Sequence, residues 1–343
     1  MKLRWIKVNS LYDTFNHTIE LKEEGLTIIH SPNGLGKSTM MKMIFLAFTG
    51  CWDELNHIPF ERLEFGFEEG RRLIFLKKET LEVTLLDAGD IIQVDKTEVK
   101  SITNVVYLGP QRLFKEEEGG YFSSTLKIYA EDVSERIKKQ QAFALERWTE
   151  CEKIPEEIRK DPKSHLAELK AKMAMIQNAG ILPSVLEEIL RDLVENDAMV
   201  WDEKKLLTLH KLICVADVLY PLAEEIVTLQ DIVNPMLFRK KLIINAEEGL
   251  SVFFDDGKNI PLERLSSGER HLLLMLYTMV FVASPGSLVI IDEPEISMHI
   301  TWQQRLASLF MEICEARDIQ VLMATHSPQV VHDKWDLTVE LVI

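Results

Sequence analysis

The sequence predicts an α/β fold: a mixed core sheet, an antiparallel β meander and an inserted helical lobe. Three observations predict it. A short apolar strand at Ile28-Ile29 runs through Ser31-Pro32-Asn33-Gly34-Leu35-Gly36 into Lys37-Ser38-Thr39 and an apolar helix, Met40 to Phe48. A continuous apolar strand, Ser287 to Ile291, ends in Asp292-Glu293-Pro294, as strands of a buried parallel sheet do. Between them lies a charged stretch with helical spacing, about Leu126 to Leu237.

The first stretch has the order strand, loop, helix that a phosphate-binding loop needs. Successive backbone N–H groups in such a loop form an anion nest, and the helix N-terminus adds partial positive charge. Lys37 would reach the β- and γ-phosphates of a nucleotide, and the Ser38 hydroxyl would hold Mg²⁺. Gly34 and Gly36 let the backbone approach the phosphates. The motif asks for glycine where this chain has Ser31. A non-glycine residue at positive φ costs about 1 kcal/mol, so the loop either avoids that torsion or tolerates it.

Taken in order, Leu3 to Val8 reads as a strand. Phe15 to Leu21 alternates apolar and polar and reads as a second. From Arg62 to Val94 short alternating runs and a Glu69-Gly70 turn give the antiparallel meander. Val105 to Leu108 is a strand leading to Gln111. In the charged stretch, Leu166, Leu169, Met173 and Ile176 share one helical face, as do Val185, Ile189, Leu190 and Leu193. Pro155, Pro162, Gly180, Pro183, Pro221 and Pro235 are expected to cut it into pieces, giving a compact helical lobe and no long coiled coil. Short strands follow at Lys241 to Asn245, Ser251 to Phe254 and Asn259 to Leu262. After Leu265-Ser266-Ser267-Gly268-Glu269 comes an apolar helix. Thr301 is expected to cap a helix, Ile319 to Ala324 forms a buried strand ending in Thr325-His326, and Leu337 to Val342 closes the chain. The expected domains are 1–125 (N-terminal part of the head), 126–237 (helical insertion for partner contacts or dimerisation) and 238–343 (C-terminal part of the head).

The chain has 343 residues and a formal net charge of −16. That charge disfavours a surface binding nucleic acid by bulk electrostatics, while leaving room for a local basic groove. Cys51, Cys151, Cys214 and Cys314 are far apart with no Cys-x-x-Cys pair. Reduced, buried thiols in a cytoplasmic protein are expected, and a metal site is not. The N-terminus lacks a signal-peptide core, and the longest apolar run, Leu272 to Ala283, is too short to span a bilayer.

An apolar strand ending in two acids is the natural partner of a phosphate loop. Asp292 would hold Mg²⁺, and Glu293 would polarise the attacking water. Ser266, Ser267 and Gly268 open a helix and could bind an anion; alone they are equally a plain helix start with Glu269 in the first turn. His326 ends a strand and could hydrogen-bond a γ-phosphate, although a lone histidine is more often structural. Gln111 could sense Mg²⁺ or water.

Together these stations resemble the ATP-binding-cassette (ABC) type of ATPase, a P-loop NTPase head. The order matches: phosphate loop Ser31 to Thr39, glutamine loop at Gln111, signature Leu265 to Glu269, acid pair Asp292-Glu293 and switch His326. Ser-Ser-Gly-Glu and Asp-Glu-Pro-Glu-Ile-Ser-Met-His resemble the branch holding chromosome-maintenance (SMC), RecF-like and overcoming-lysogenisation-defect (OLD) ATPases. Transport cassettes carry Asp where this chain has His299. With little sequence after His326, the Toprim nuclease of the OLD enzymes is not expected here. It looks most like the stand-alone ATPase subunits of bacterial anti-phage systems such as PARIS and Septu.

The resemblance implies ATP and Mg²⁺ as ligands: Asn33, Gly34, Gly36, Lys37, Ser38 and Thr39 on the nucleotide, Ser38, Gln111 and Asp292 at the metal, and Glu293, His326 and Gln111 in hydrolysis. It implies a head-to-tail dimer, open to higher assembly, in which Ser266, Ser267 and Gly268 of one copy meet the γ-phosphate held by the other. It implies a defence sensor and scaffold controlling a separate effector, a Toprim or HNH nuclease, in response to a phage product. The alternative is a RecF- or SMC-like repair ATPase that clamps DNA; a plain cytosolic regulatory switch is a third reading.

Overall fold

The computed structural model describes residues 2–32, 34–111, 114–116, 122–195 and 200–341. The chain divides into two units, one made of Met1–Leu113 with Ser267–Ile343 and the other of Phe114–Ser266. The sequence boundaries at 125/126 and 237/238 both fall inside the second unit.

The first unit begins with β1 (Leu3–Leu11), β2 (Phe15–Glu20) and β3 (Leu26–His30), then α1 (Lys37–Thr49) and α2 (Trp52–His57). The meander follows as β4 (Arg62–Phe67), β5 (Arg72–Lys77), β6 (Leu81–Asp87) and β7 (Asp90–Gln93), then α3 (Lys96–Ile102) and β8 (Val105–Leu108). The antiparallel sheet has the order β2-β1-β4-β5-β6-β7. Its 68–70 turn works because Glu69 and Gly70 take left-handed torsions, φ 61° and 77°.

The second unit holds a short hairpin, β9 (Phe114–Glu116) with β10 (Phe122–Ser124), and the helices α4 (Thr125–Glu150), α5 (Glu156–Lys160), α6 (Pro162–Asn178), α7 (Ser184–Glu195) and α8 (Glu203–Val233). It ends in an antiparallel sheet of β11 (Lys240–Asn245), β12 (Gly249–Phe254) and β13 (Asn259–Ile260). These strands go with the helices because α4 lies directly on β12. A Cβ at Gly249 would overlap the carbonyl of Ala130, and Ser134 Oγ donates to the Ala246 carbonyl at 2.7 Å.

Pro221 does not cut α8, which runs 31 residues through it. A proline inside a helix removes one backbone hydrogen bond. Here Leu219, Leu222, Ala223 and Ile226 around it are all buried, and that packing outweighs the lost bond. On α6 the expected face is the buried one. On α7 the buried face is Leu186, Leu190 and Leu193, with Val185 exposed. Leu190 and Leu193 of the expected face are thus buried and Ile189 half-buried, and Leu186 takes the place of Val185.

The first unit resumes with α9 (Ser267–Tyr277), a π-helical turn at Thr278–Val282, β14 (Leu288–Asp292), α10 (Ile300–Arg317), β15 (Gln320–Thr325), α11 (Pro328–Val331) and β16 (Thr338–Val339). His299, not Thr301, caps α10, its side chain accepting from the Thr301 N–H. The five-stranded sheet β16-β3-β15-β14-β8 is parallel throughout. Parallel and antiparallel strands thus sit in separate sheets of one α/β unit. An apolar cluster joins them through α1: Phe48 meets Phe65 edge-on at 4.7 Å, and Met40, Met41 and Ile44 pack with Ile6, Val8, Ile290 and Leu322. Burying such side chains contributes about 2 kcal/mol each.

Two cysteine expectations need correction. Folding brings Cys151 and Cys214 together as a disulfide across 63 residues, and Cys51 is exposed. Cys314 is buried, and burial pushes its thiol up to about 12. At least one residue of each adjacent basic pair, Arg71-Arg72, Lys77-Lys78 and Lys240-Lys241, is engaged locally: Arg71 with Asp87, Lys77 with the Asn56 and Ile58 carbonyls, and Lys240 over the Phe254 ring.

Candidate nucleotide site

The parallel sheet lines up the stations. From β3 through β15 and β14 to β8, neighbouring strands end in register: His30 opposite Thr325, Ala324 opposite Asp292, Ile291 opposite Leu108. The phosphate loop, His326, the acid pair and Gln111 therefore leave the same carboxyl edge in that spatial order. This edge is where open α/β sheets bind ligands.

Around the loop, Gly34 and Gly36 take φ 87° and 80°. A Cβ on Gly36 would also press on Leu11 Cδ2 at 2.9 Å. Ser31 stays out of the left-handed region. Its Oγ accepts from the Leu341 N–H at 2.7 Å, which fixes the departure from glycine by a tether. Asn33 lies outside the described residues. Ser38 is exposed at the start of α1. Thr39 is half-buried, and its hydroxyl sits 3.0 Å from Tyr12 Oη. From β2, buried His17 donates through Nε2 to the Leu35 carbonyl at 2.9 Å and braces the loop. Burial holds His17 below its usual range.

Lys37 is 6 % exposed. Its ammonium donates to the carbonyls of Ser31 and Pro32 and lies 3.3 Å from His326 Nδ1. Burial lowers its pKa, and Glu293 and Asp292 oppose that. His326 Nε2 is 2.7 Å from Glu293 Oε1. A ring that accepts from Lys37 at Nδ1 carries its proton on Nε2 and donates it to Glu293. Glu293 itself holds a left-handed torsion, φ 53°, a cost of about 1 kcal/mol. Its carboxyl is pushed up, first by burial and then by the Glu295 carboxylate. Asp292 is 1 % exposed at the end of β14.

Sequence reading missed Glu295. One of its oxygens accepts from Thr325 Oγ1 and from the N–H groups of His326 and Ser327, at 3.1 and 3.2 Å for the two amides. It thereby fixes the turn that aims His326. The only sequence signal was a second acid two residues after Glu293. Tyr12, on the β1–β2 turn, was also passed over.

Gln111 is exposed just beyond β8. Of the signature, Ser266 is exposed, Ser267 half-buried and Gly268 buried. A Cβ on Gly268 would overlap the Ser297 carbonyl, so this glycine packs against the loop that follows the acid pair. The donors offered for a metal, the Ser38 hydroxyl, the Asp292 carboxylate and the Gln111 amide oxygen, are all hard oxygens, which suits Mg²⁺. A cavity of about 460 Å³ is lined by His30, Ser31, Pro32, His326 and Glu340. A larger groove of about 870 Å³, lined by Lys2, Arg4, Glu23 and Asp318 among others, holds none of these stations. Chemistry, not size, assigns the site.

A family model described as "AAA domain" matches residues 3–207, and another, "AAA domain, putative AbiEii toxin, Type IV TA system", matches residues 160–332. The chain belongs to the AAA-domain family. Its fold is similar to that of SMC head domains. An SMC head, solved bound to the C-terminal winged-helix domain of ScpA, matches with a TM-score of 0.50 at 12 % identity, over 96 % of this chain and 91 % of that one. The SMC head domain from Thermotoga maritima matches with a TM-score of 0.47 at 15 % identity, over 100 % of this chain and 95 % of that one. Protein ea59 of Escherichia phage lambda is 29 % identical over 90 residues, 26 % of this chain. The AAA-domain chain spans 17 % of that relative's length. No helix among the described residues is long and apolar enough to cross a membrane.

Proposed function

We propose that this AAA-domain protein binds and hydrolyses ATP with Mg²⁺, and that it is the sensor and scaffold subunit of an anti-phage defence system. Two copies close head to tail on ATP and control a separate effector, a nuclease of the Toprim or HNH class, when a phage product binds. The observation that carries the ATPase reading is the Lys37–His326–Glu293 chain at the carboxyl edge of the parallel sheet. The defence reading draws on the family described as a putative AbiEii toxin of a type IV toxin–antitoxin system.

In this reading the loop amides behind Gly34 and Gly36 receive the phosphates. Lys37 leaves the Ser31 and Pro32 carbonyls for the β- and γ-phosphate oxygens. Ser38, Asp292 and Gln111 would hold Mg²⁺, which when bound neutralises phosphate charge. Glu293 takes a proton from the attacking water, and its raised pKa brings it closer to neutral pH, as a base needs. His326, aimed by Glu295, exchanges its contact with Lys37 for the γ-phosphate. The exposed Ser266 hydroxyl and the first turn of α9, with Ser267 and Gly268, complete the pocket of a second copy.

The test is to express the chain with its neighbouring genes in cells challenged with phage. Protection that needs Lys37, with a nuclease recovered on the tagged chain, supports the proposal. Protection unchanged in K37A, or tight salt-sensitive binding of DNA by the chain alone, favours other readings.

A further inference from the structure

The second unit contains a cluster that the nucleotide chemistry does not use. Cys151 follows the last turn of α4, its N–H donating to the Arg147 carbonyl at 3.1 Å. His210 and Cys214 lie one helical turn apart on α8, so both point from the same face. One ligand atom from each of the three residues lies within 4.8 Å of the others, and Cys214 Sγ is 3.9 Å from both ring nitrogens of His210.

We propose that, with its thiols reduced, this cluster binds a zinc ion that clips the end of α4 to the middle of α8. Three arguments support it. The donor set is two sulfurs and an imidazole, which selects zinc over the hard cations of the nucleotide site. Sulfurs on a tetrahedral zinc stand about 3.8 Å apart, from a Zn–S bond of about 2.3 Å. The Cα atoms of Cys151 and Cys214 are 7.1 Å apart, beyond the usual disulfide range of about 4.4–6.8 Å and open enough for two ligands of one ion. Finally, the C-terminal end of α4, a helix of 26 residues, brings its negative dipole end to Cys151, which favours a cation there.

The facing charges are accounted for. Arg147 is the cation near His210, and its guanidinium pairs with Glu150 at 3.0 Å. Lys211 is turned over the Trp148 ring, 5.5 Å from its centroid. Burial, then Arg147, holds the His210 imidazole below its usual range. His210 and Cys214 are half-buried, which leaves a path for solvent to a fourth position. The disulfide and the metal exclude each other. A phosphine reductant and one water turn the S–S bond into two thiols, the water's oxygen leaving on the phosphine oxide and its two protons going to the sulfurs; zinc then displaces the thiol protons to solvent.

The test uses the full chain, reduced and anaerobic, with cobalt(II) alone as the probe. A thiolate-to-cobalt charge-transfer band saturating at about one equivalent, bleached by zinc, is expected. Zinc should also raise the melting temperature. H210A and C214S should each weaken zinc binding by about tenfold or more, with far-ultraviolet circular dichroism confirming that they fold. Wild-type protein that gives no charge-transfer band at saturating cobalt overturns the proposal, whatever the variants do. So does a band of unchanged affinity in folded C214S, which would place the metal on Cys51 or Cys314.

Discussion

His326 stands between Lys37 and Glu293, with Nδ1 3.3 Å from the ammonium and Nε2 2.7 Å from the carboxylate. One imidazole thus joins Lys37 to the proposed base across three adjacent strand ends. In the proposed cycle His326 exchanges its contact with Lys37 for the γ-phosphate. H326A should therefore cut kcat by about a hundredfold, the scale of a lost proton-handling group, with ATP affinity changed far less. Stopped-flow phosphate release and nucleotide binding, measured on the same preparations, check the split.

Glu295 should tune the base as well as hold the turn. With Glu293 as the proposed base, the acid limb of kcat should report its carboxyl group, which takes a proton from water only when ionised. Its pKa is raised, so activity falls as pH drops through a value above the ordinary carboxylate range. Replacing Glu295 by Gln removes a neighbouring negative charge that raises this pKa, so the limb should move to lower pH. Losing the charge-assisted bonds to the 325–327 turn should also cost about 2 kcal/mol. pH–rate profiles and urea unfolding of E295Q report the two effects separately.

Much of this site was legible because its chemistry is local in sequence. Lys37-Ser38-Thr39 follows a strand directly, and Asp292-Glu293 ends one. Glu295 was not legible, because its partners lie some 30 residues on, at Thr325 to Ser327. The turn that brings them back exists only in the sheet. Cys151 and Cys214 were misread for the same reason: two helices, not a short motif, place them together. Pro221 misled in the opposite direction, since buried neighbours on α8 outweigh one missing N–H. The parallel and antiparallel strands were each read from their apolar pattern, but only the pairing showed that they occupy separate sheets.

Gly268 should matter to stability before any nucleotide is added. A methyl group there would overlap the Ser297 carbonyl, so G268A should lose about 1–3 kcal/mol by overpacking. Thermal unfolding without ATP reads this. An unchanged melting temperature would mean that the loop after the acid pair gives way freely.

His17 should make the fold acid-sensitive. Burial lowers its pKa below the ordinary 6.5, so the unfolded chain binds its proton first as pH falls. The stability it contributes is fully present above that ordinary value and is lost as pH drops through the lower, folded one. H17Q, which keeps a donor for the Leu35 carbonyl, should flatten this part of the profile. Urea midpoints of both proteins between pH 8 and about 5 provide the comparison.

The most direct test of the shared-pocket account is the mass of E293Q in solution with ATP and Mg²⁺. With the base removed and the phosphate loop intact, ATP should stay unhydrolysed and light scattering should show the mass doubling, reversed when Lys37 is also replaced by Ala. A variant that remains a monomer at saturating ATP, or that turns ATP over at the parent rate, contradicts it.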